Sequence, residues 1–127
     1  MTVHSCVLCI GSNFHRETQM AFARQRLRSH FPAIRFGEEM ETIAMGEGVL
    51  SPFSNQVAVL ETTLSVEEIR SILKAIEQES GRTPEDKMQG IVRLDIDLVT
   101  FDDAVLKPED MQREYVQRGL QELSRKA

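Results

Sequence analysis

Apolar and polar positions change their period several times along the chain, and each change marks an element. Val3 to Ile10 is nearly continuous in apolar residues and reads as a buried strand, closed by the turn signal Gly11-Ser12-Asn13. From Arg16 to His30 a helical period takes over. Met20, Ala23, Leu27 and Phe31 fall at i, i+3, i+7 and i+11, one apolar stripe, and Pro32 stops the helix. Ala33 to Thr42 alternates weakly, with Ile34 and Phe36 on one face, and predicts a second strand. Gly46, Gly48 and Pro52 make Ala44 to Pro52 a loop. In Asn55 to Thr63, Val57 and Val59 oppose Ala58 and Leu60, which predicts a third strand.

Ser65-Val66-Glu67-Glu68 has the form of a capping box. The helix it opens runs through Ile69, Ile72, Leu73 and Ile76, and Gly81 is placed to cap its C-terminus. Arg82 to Gly90 is polar, contains Pro84 and reads as a mobile loop. Ile91 to Phe101 is the fourth and clearest strand. Pro108 starts a last helix, striped by Met111, Tyr115, Leu120 and Leu123. This succession predicts an α+β fold, a ferredoxin-like βαββαβ sandwich forming a single domain over 1–127. Two helices cover one face of a four-stranded antiparallel sheet, and a C-terminal helix follows. The other sheet face is left for loops, a ligand or solvent.

Composition narrows the function classes. Apolar residues make up 41% and charged residues 28%, an ordinary globular balance that excludes a collagen-like repeat, a coiled coil or a long disordered tail. No apolar run approaches the ~18–20 residues of a membrane span. The N-terminal residues lack the basic start of a signal peptide, so a cytoplasmic protein without a membrane partner is expected. Fifteen Lys and Arg against twenty Asp and Glu give a net charge of −5, which disfavours a nucleic-acid partner. A polyphosphate stays open, provided metal ions stand between the two.

Cys6 and Cys9 form a C-x-x-C spacing, but residues three apart on a strand point to opposite faces. They read as two small core-filling thiols in a reducing compartment. His4, His15 and His30 are scattered, without the spacing of a zinc set. The richest cluster is Arg93-Leu94-Asp95-Ile96-Asp97-Leu98. A period of two puts Arg93, Asp95 and Asp97 on one face and the apolar residues on the other. Carboxylates at that spacing stand roughly 6–7 Å apart, close enough to hold one or two magnesium ions. Magnesium takes one or two carboxylates and fills its shell with phosphate oxygens and water. The competing reading is a solvated face with an ion pair to Arg93. Phe53 and Asn55, in Pro52-Phe53-Ser54-Asn55-Gln56-Val57, suit a flat heterocycle: one stacks, the other offers paired hydrogen bonds. A buried Phe and a turn Asn are the plainer reading.

In order, the chain carries G-S-N after the first strand, P-F-x-N-Q-V at the third, I-E-x-x-x-G-R closing the second helix and L-D-I-D-L on the fourth strand. This set resembles the 6-hydroxymethyl-7,8-dihydropterin pyrophosphokinase family of folate biosynthesis, from Cys6 to about Phe101. The resemblance implies transfer of pyrophosphate from ATP to the pterin hydroxymethyl oxygen, with release of AMP. It implies two Mg2+ ions held by Asp95 and Asp97, catalytic roles for these aspartates with Arg82, and a pterin pocket of Thr42, Phe53 and Asn55; Arg93, on the aspartates' face and one position after the family's arginine, is the candidate catalytic substitute for it. Glu77, Arg82, Arg113 and Tyr115 fall to the nucleotide side, in a monomer or weak dimer. The chain departs from the family's R-W-x-P-R-x-L-D-L-D run: the tryptophan position is Gln89, the arginine position is Val92, and Pro84 stands where another arginine is expected. The departures keep a second function open, a catalytically impaired relative that binds a pterin, a nucleotide or a protein.

Overall fold

The computed structural model describes residues 2–46 and 49–125. Strand β1 (His4–Ser12) leads into helix α1 (Arg16–His30), then β2 (Arg35–Phe36), β3 (Met40–Gly46) and β4 (Val49–Thr62). Helix α2 (Val66–Glu79), the short α3 (Pro84–Met88), β5 (Asp95–Phe101) and β6 (Ala104–Val105) follow, then α4 (Pro108–Met111) and α5 (Glu114–Arg125). The sheet is antiparallel, in the order β2-β4-β1-β5-β6 with β3 also paired to β4. It has six strands where the sequence predicted four.

Two of the extra pieces have local causes. The predicted second strand is split into β2 and β3, because residues 37–39 oppose only two residues of β4. Gly37 sits in this bulge, its amide donating to Val57 O and its carbonyl accepting from Gln56 Nε2. The predicted loop at Ala44 to Pro52 is instead the outer part of a β3–β4 ribbon, with Gly48 outside the described residues. Pro52 is tolerated there because β1 ends opposite Ser54, so among the described residues this stretch of β4 has a neighbour on one side only.

The capping box forms as expected: Ser65 Oγ accepts from the Glu68 amide while Glu68 accepts from the Ser65 amide. Gly81 takes the left-handed conformation, φ 96°, just past α2. Arg82 to Gly90, predicted as a loop, contains α3. Thr83 precedes Pro84 at the first helical position, and Asp86 accepts from both the amide and the hydroxyl of Thr83. The last predicted helix is divided into α4 and α5.

Two apolar layers flank the sheet. Leu8, Ile10, Ala58, Leu60, Ile96 and Leu98 face α1 (Met20, Ala23, Leu27) and α2 (Ile69, Leu73, Ile76). On the opposite face Cys9, Val57 and Val99 pack against Val116 and Leu123 of α5. The second face is thus partly covered by the C-terminal helix. Cys6 belongs to the first layer and Cys9 to the second, as the strand period required. Helix α5 lies close: a Cβ added at Gly119 would stand 2.1 Å from Val57 Cγ1. What α5 leaves uncovered, at one end of this face, is a cavity.

Candidate active site

The cavity is about 350 Å³ in volume. Its walls come from Cys9 and Gly11 of β1, Thr42 of β3, Phe53 and Asn55 of β4, Val92, and Asp95 and Asp97 of β5. Asp110, Arg113 and Tyr115 close it from the C-terminal helices. Thr42, Phe53, Asn55, Asp95, Asp97, Arg113 and Tyr115 were all singled out in the sequence, and they meet here. A cavity of similar volume near Ser5, Arg35, Glu61 and Asp102 holds none of them.

Register explains the convergence. Gly11 pairs with Asn55 on one side and Asp95 on the other, so the amide and the acid pair are held on either side of one glycine. A side chain at Gly11 would press on this arrangement, its Cβ 3.3 Å from Asn55 Oδ1. Asn55 Nδ2 donates to Thr42 Oγ1 at 2.5 Å, which fixes the plane of the buried carboxamide. Asp97 lies opposite Cys9 in the β1–β5 register.

The acid pair carries an unbalanced charge. Burial, then the neighbouring Glu77 carboxylate, pushes Asp95 above the usual carboxylate range. Burial, then Asp95, pushes Asp97 up to about 6. No Lys or Arg is ion-paired with either aspartate among the described residues. No cluster of three or more metal-ligating His, Cys, Asp or Glu side chains occurs among them either. A cation here would be held by two carboxylates and completed by water or ligand oxygens, the coordination habit of magnesium.

The arginines are already engaged. Arg82 Nη1 lies 3.2 Å from Oε1 of the buried Glu77, whose Oε2 accepts from the Ile96 amide. Arg113 Nε donates to Asp110 Oδ1 at 3.1 Å. Arg93 does not join the aspartates, as the strand period predicted, because β5 begins only at Asp95. It lies against the Phe14 ring and donates to both Asp86 oxygens, from Nε at 2.8 Å and Nη2 at 3.3 Å. Arg93 and the pair Glu77–Arg82 therefore stand outside the cavity lining.

Asn13 holds the segment before β5 in place. Its amide and Oδ1 bond Val92 O and Val92 N, and its Nδ2 donates to Gly90 O and Ser51 Oγ. The G-S-N turn thus fastens one strand end to the next, and residues 91–94 lie outside the ladder.

The Asp86–Arg93 pair predicts an acid dependence. The Arg93 hydrogen bonds hold Asp86 down to about 2, against roughly 3.9 for a free Asp. A depressed carboxyl contributes stability above its unfolded pKa and loses it as pH falls toward the folded value. Asp86→Asn should therefore melt a few degrees below the parent protein at pH 6, with the gap closing between about pH 4 and 2. Equal melting temperatures at pH 6 would contradict the pairing.

The family model described as 7,8-dihydro-6-hydroxymethylpterin-pyrophosphokinase (HPPK) matches residues 7–125, nearly the whole chain. The chain belongs to that family. No curated protein matches it. Among solved structures it is similar to the divalent cation tolerance protein CutA1 of Thermus thermophilus, with 9% identity, 87% of this chain and 97% of that one covered, and a TM-score of 0.44. CutA1 from Oryza sativa gives 14% identity, 89% and 97% coverage and a TM-score of 0.44. A de novo designed protein with a ferredoxin fold gives 15%, 83% and 88%, and 0.31.

Three features of this HPPK-family chain escaped sequence reasoning. Cys9 and Asp110 line the cavity, and Asp86 captures Arg93. For Asp86 a signal was present, since Thr83-Pro84-Glu85-Asp86 is a helix start. For Cys9 and Asp110 there was none, because their roles depend on where α4 and α5 fold back.

Proposed function

We propose that this cavity binds a hydroxymethyl pterin and that the protein transfers pyrophosphate from ATP to it in folate biosynthesis, releasing AMP. The carrying observation is that Thr42, Phe53, Asn55, Asp95 and Asp97 line one cavity in a chain of this family. The β1–β5 frame is read as a ferredoxin-like sandwich enlarged by the β3–β4 ribbon and β6. The Asn55 amide, held by Thr42, reads the polar edge of the ring, while Phe53 and Tyr115 offer aromatic faces. Asp95 and Asp97 fit a pair of Mg2+ ions, having oxygen donors, strand spacing and carboxyls whose burial and repulsion by neighbouring carboxylates outweigh the pull of Arg82 and Lys107. Bound magnesium would supply neutralisation of the triphosphate and alignment of the attacking oxygen. Arg113, steadied by Asp110, is the cation in the cavity lining and would meet an incoming phosphate there.

Asn55→Ala tests the pterin side. It should weaken calorimetric binding of 6-hydroxymethylpterin by about 1–3 kcal/mol, because a buried ring edge loses its hydrogen-bond partner. An affinity unchanged from the parent protein would rule out this pocket.

A second reading, a pterin-binding relative without transferase activity, is favoured by the engagement of the arginines. Arg82, Arg93 and Arg113 each face a carboxylate, so a triphosphate that uses them must break those pairs.

A further inference from the structure

Asn13, one residue past the end of β1, reaches two segments that lie far apart in the chain. Its Oδ1 accepts from the Val92 amide at 2.6 Å, while its Nδ2 donates to Gly90 O at 2.8 Å and to Ser51 Oγ at 3.0 Å. The two backbone partners fix which way the carboxamide points, because an amide N–H only donates and a carbonyl only accepts. One hydrogen of the NH2 group then goes to each segment. Both segments bear on the cavity. Val92 lines it directly, and Ser51 lies two residues before the lining Phe53 on β4, which puts both on one face of the ribbon. The sheet itself holds neither segment firmly. Residues 91–94 lie outside the ladder, and this part of β4 lies beyond the end of β1, paired to β3 alone among the described residues. A wall that can drift must be ordered when a ligand enters, and that ordering weakens affinity.

We infer that Asn13 is a positioning residue for the cavity: its carboxamide clamps the β3–β4 ribbon to the segment entering β5, and so sets the spacing of Phe53 and Val92 before a ligand arrives. The effect on pterin affinity rests on the reading of the cavity as a pterin site, whereas the clamp itself is independent of any ligand. An Asn that serves only to end β1 predicts something different, because a strand end does not need the Ser51 hydroxyl.

Ser51→Ala removes the ribbon bond and leaves the Val92 and Gly90 bonds in place, so it separates clamping from turn formation. The experiment compares the full chain with Ser51→Ala, Asn13→Ala and the double variant. It reads hydrogen exchange by mass spectrometry over 49–53 and 89–93, the melting temperature, and the calorimetric Kd for 6-hydroxymethylpterin. Ser51→Ala should speed exchange over 49–53 and raise Kd about threefold, the worth of one modest hydrogen bond, with the melting temperature nearly unchanged. Asn13→Ala should speed exchange over both segments and raise Kd roughly tenfold. In the Asn13→Ala background, Ser51→Ala should change Kd by less than about twofold, because the bond it removes is already gone. Where Asn13→Ala does not fold, the Ser51→Ala readings decide alone. The proposal is overturned if Ser51→Ala leaves either the exchange over 49–53 or Kd at the parent value, or if it raises Kd equally in both backgrounds, which gives Ser51 a role apart from Asn13. If the parent protein binds no pterin but Ser51→Ala still speeds exchange over 49–53, the clamp stands and the substrate reading falls.

Discussion

Asp97→Asn should abolish magnesium-dependent nucleotide binding while leaving the melting temperature unchanged or raising it by a few degrees. The loss follows from removing a charged oxygen ligand from a pair that together would hold the metal. The gain follows from linkage. A carboxyl raised to about 6 is harder to ionise in the folded state than in the unfolded chain. Its ionisation therefore costs stability as pH rises through that value, and the uncharged variant escapes the cost. After allowance for solvent screening the difference is of order 1 kcal/mol at pH 7 to 8. It should shrink toward zero near pH 4, where the parent carboxyl is itself protonated. Thermal melts across this range, beside calorimetry with a non-hydrolysable ATP analogue and Mg2+, check both halves. A variant that unfolds would make Asp97 a structural partner. A folded variant with intact nucleotide binding would mean that no metal site exists there.

Gly119→Ala should destabilise the fold and loosen the pterin site together. The new Cβ would lie 2.1 Å from Val57 Cγ1 and 3.3 Å from its Cβ, so the Val57 side chain or α5 itself must shift. Overpacking of this kind costs about 1–3 kcal/mol. Alanine's better helix propensity returns up to ~1 kcal/mol, which leaves a net loss of several degrees in melting temperature. Because α5 also carries Tyr115 into the cavity wall, pterin affinity should fall in the same variant. An unchanged melting temperature and affinity would show that this contact can relax at no cost, and would detach α5 from the site.

The legible parts of this fold are those where one face is apolar and the ends are chemically marked. Helix α1 is bounded as its stripe and Pro32 require, and the Ser65 capping box and Gly81 fix both ends of α2. The β3–β4 ribbon was unreadable for the opposite reason. It extends beyond β1, so its glycine and proline carry no penalty of the kind that forbids them in a central strand. In the site, the residues on paired strands came together because register alone brings Gly11, Asn55 and Asp95 side by side. Arg93 was misplaced because its face depended on a strand that starts two residues later, at Asp95. Its actual partner, Asp86, sits on a helix of one turn that Pro84 opens rather than prevents.

The most direct test of the account is a coupled measurement of AMP. Purified protein, ATP, Mg2+ and 6-hydroxymethyl-7,8-dihydropterin are combined, and each component is left out in turn. The account predicts AMP and pyrophosphorylated pterin in equal amounts, with neither formed when magnesium, ATP, pterin or the Asp97 carboxylate is missing. Tight pterin binding without any AMP, at every magnesium concentration, would contradict it and leave a binding protein in the place of an enzyme.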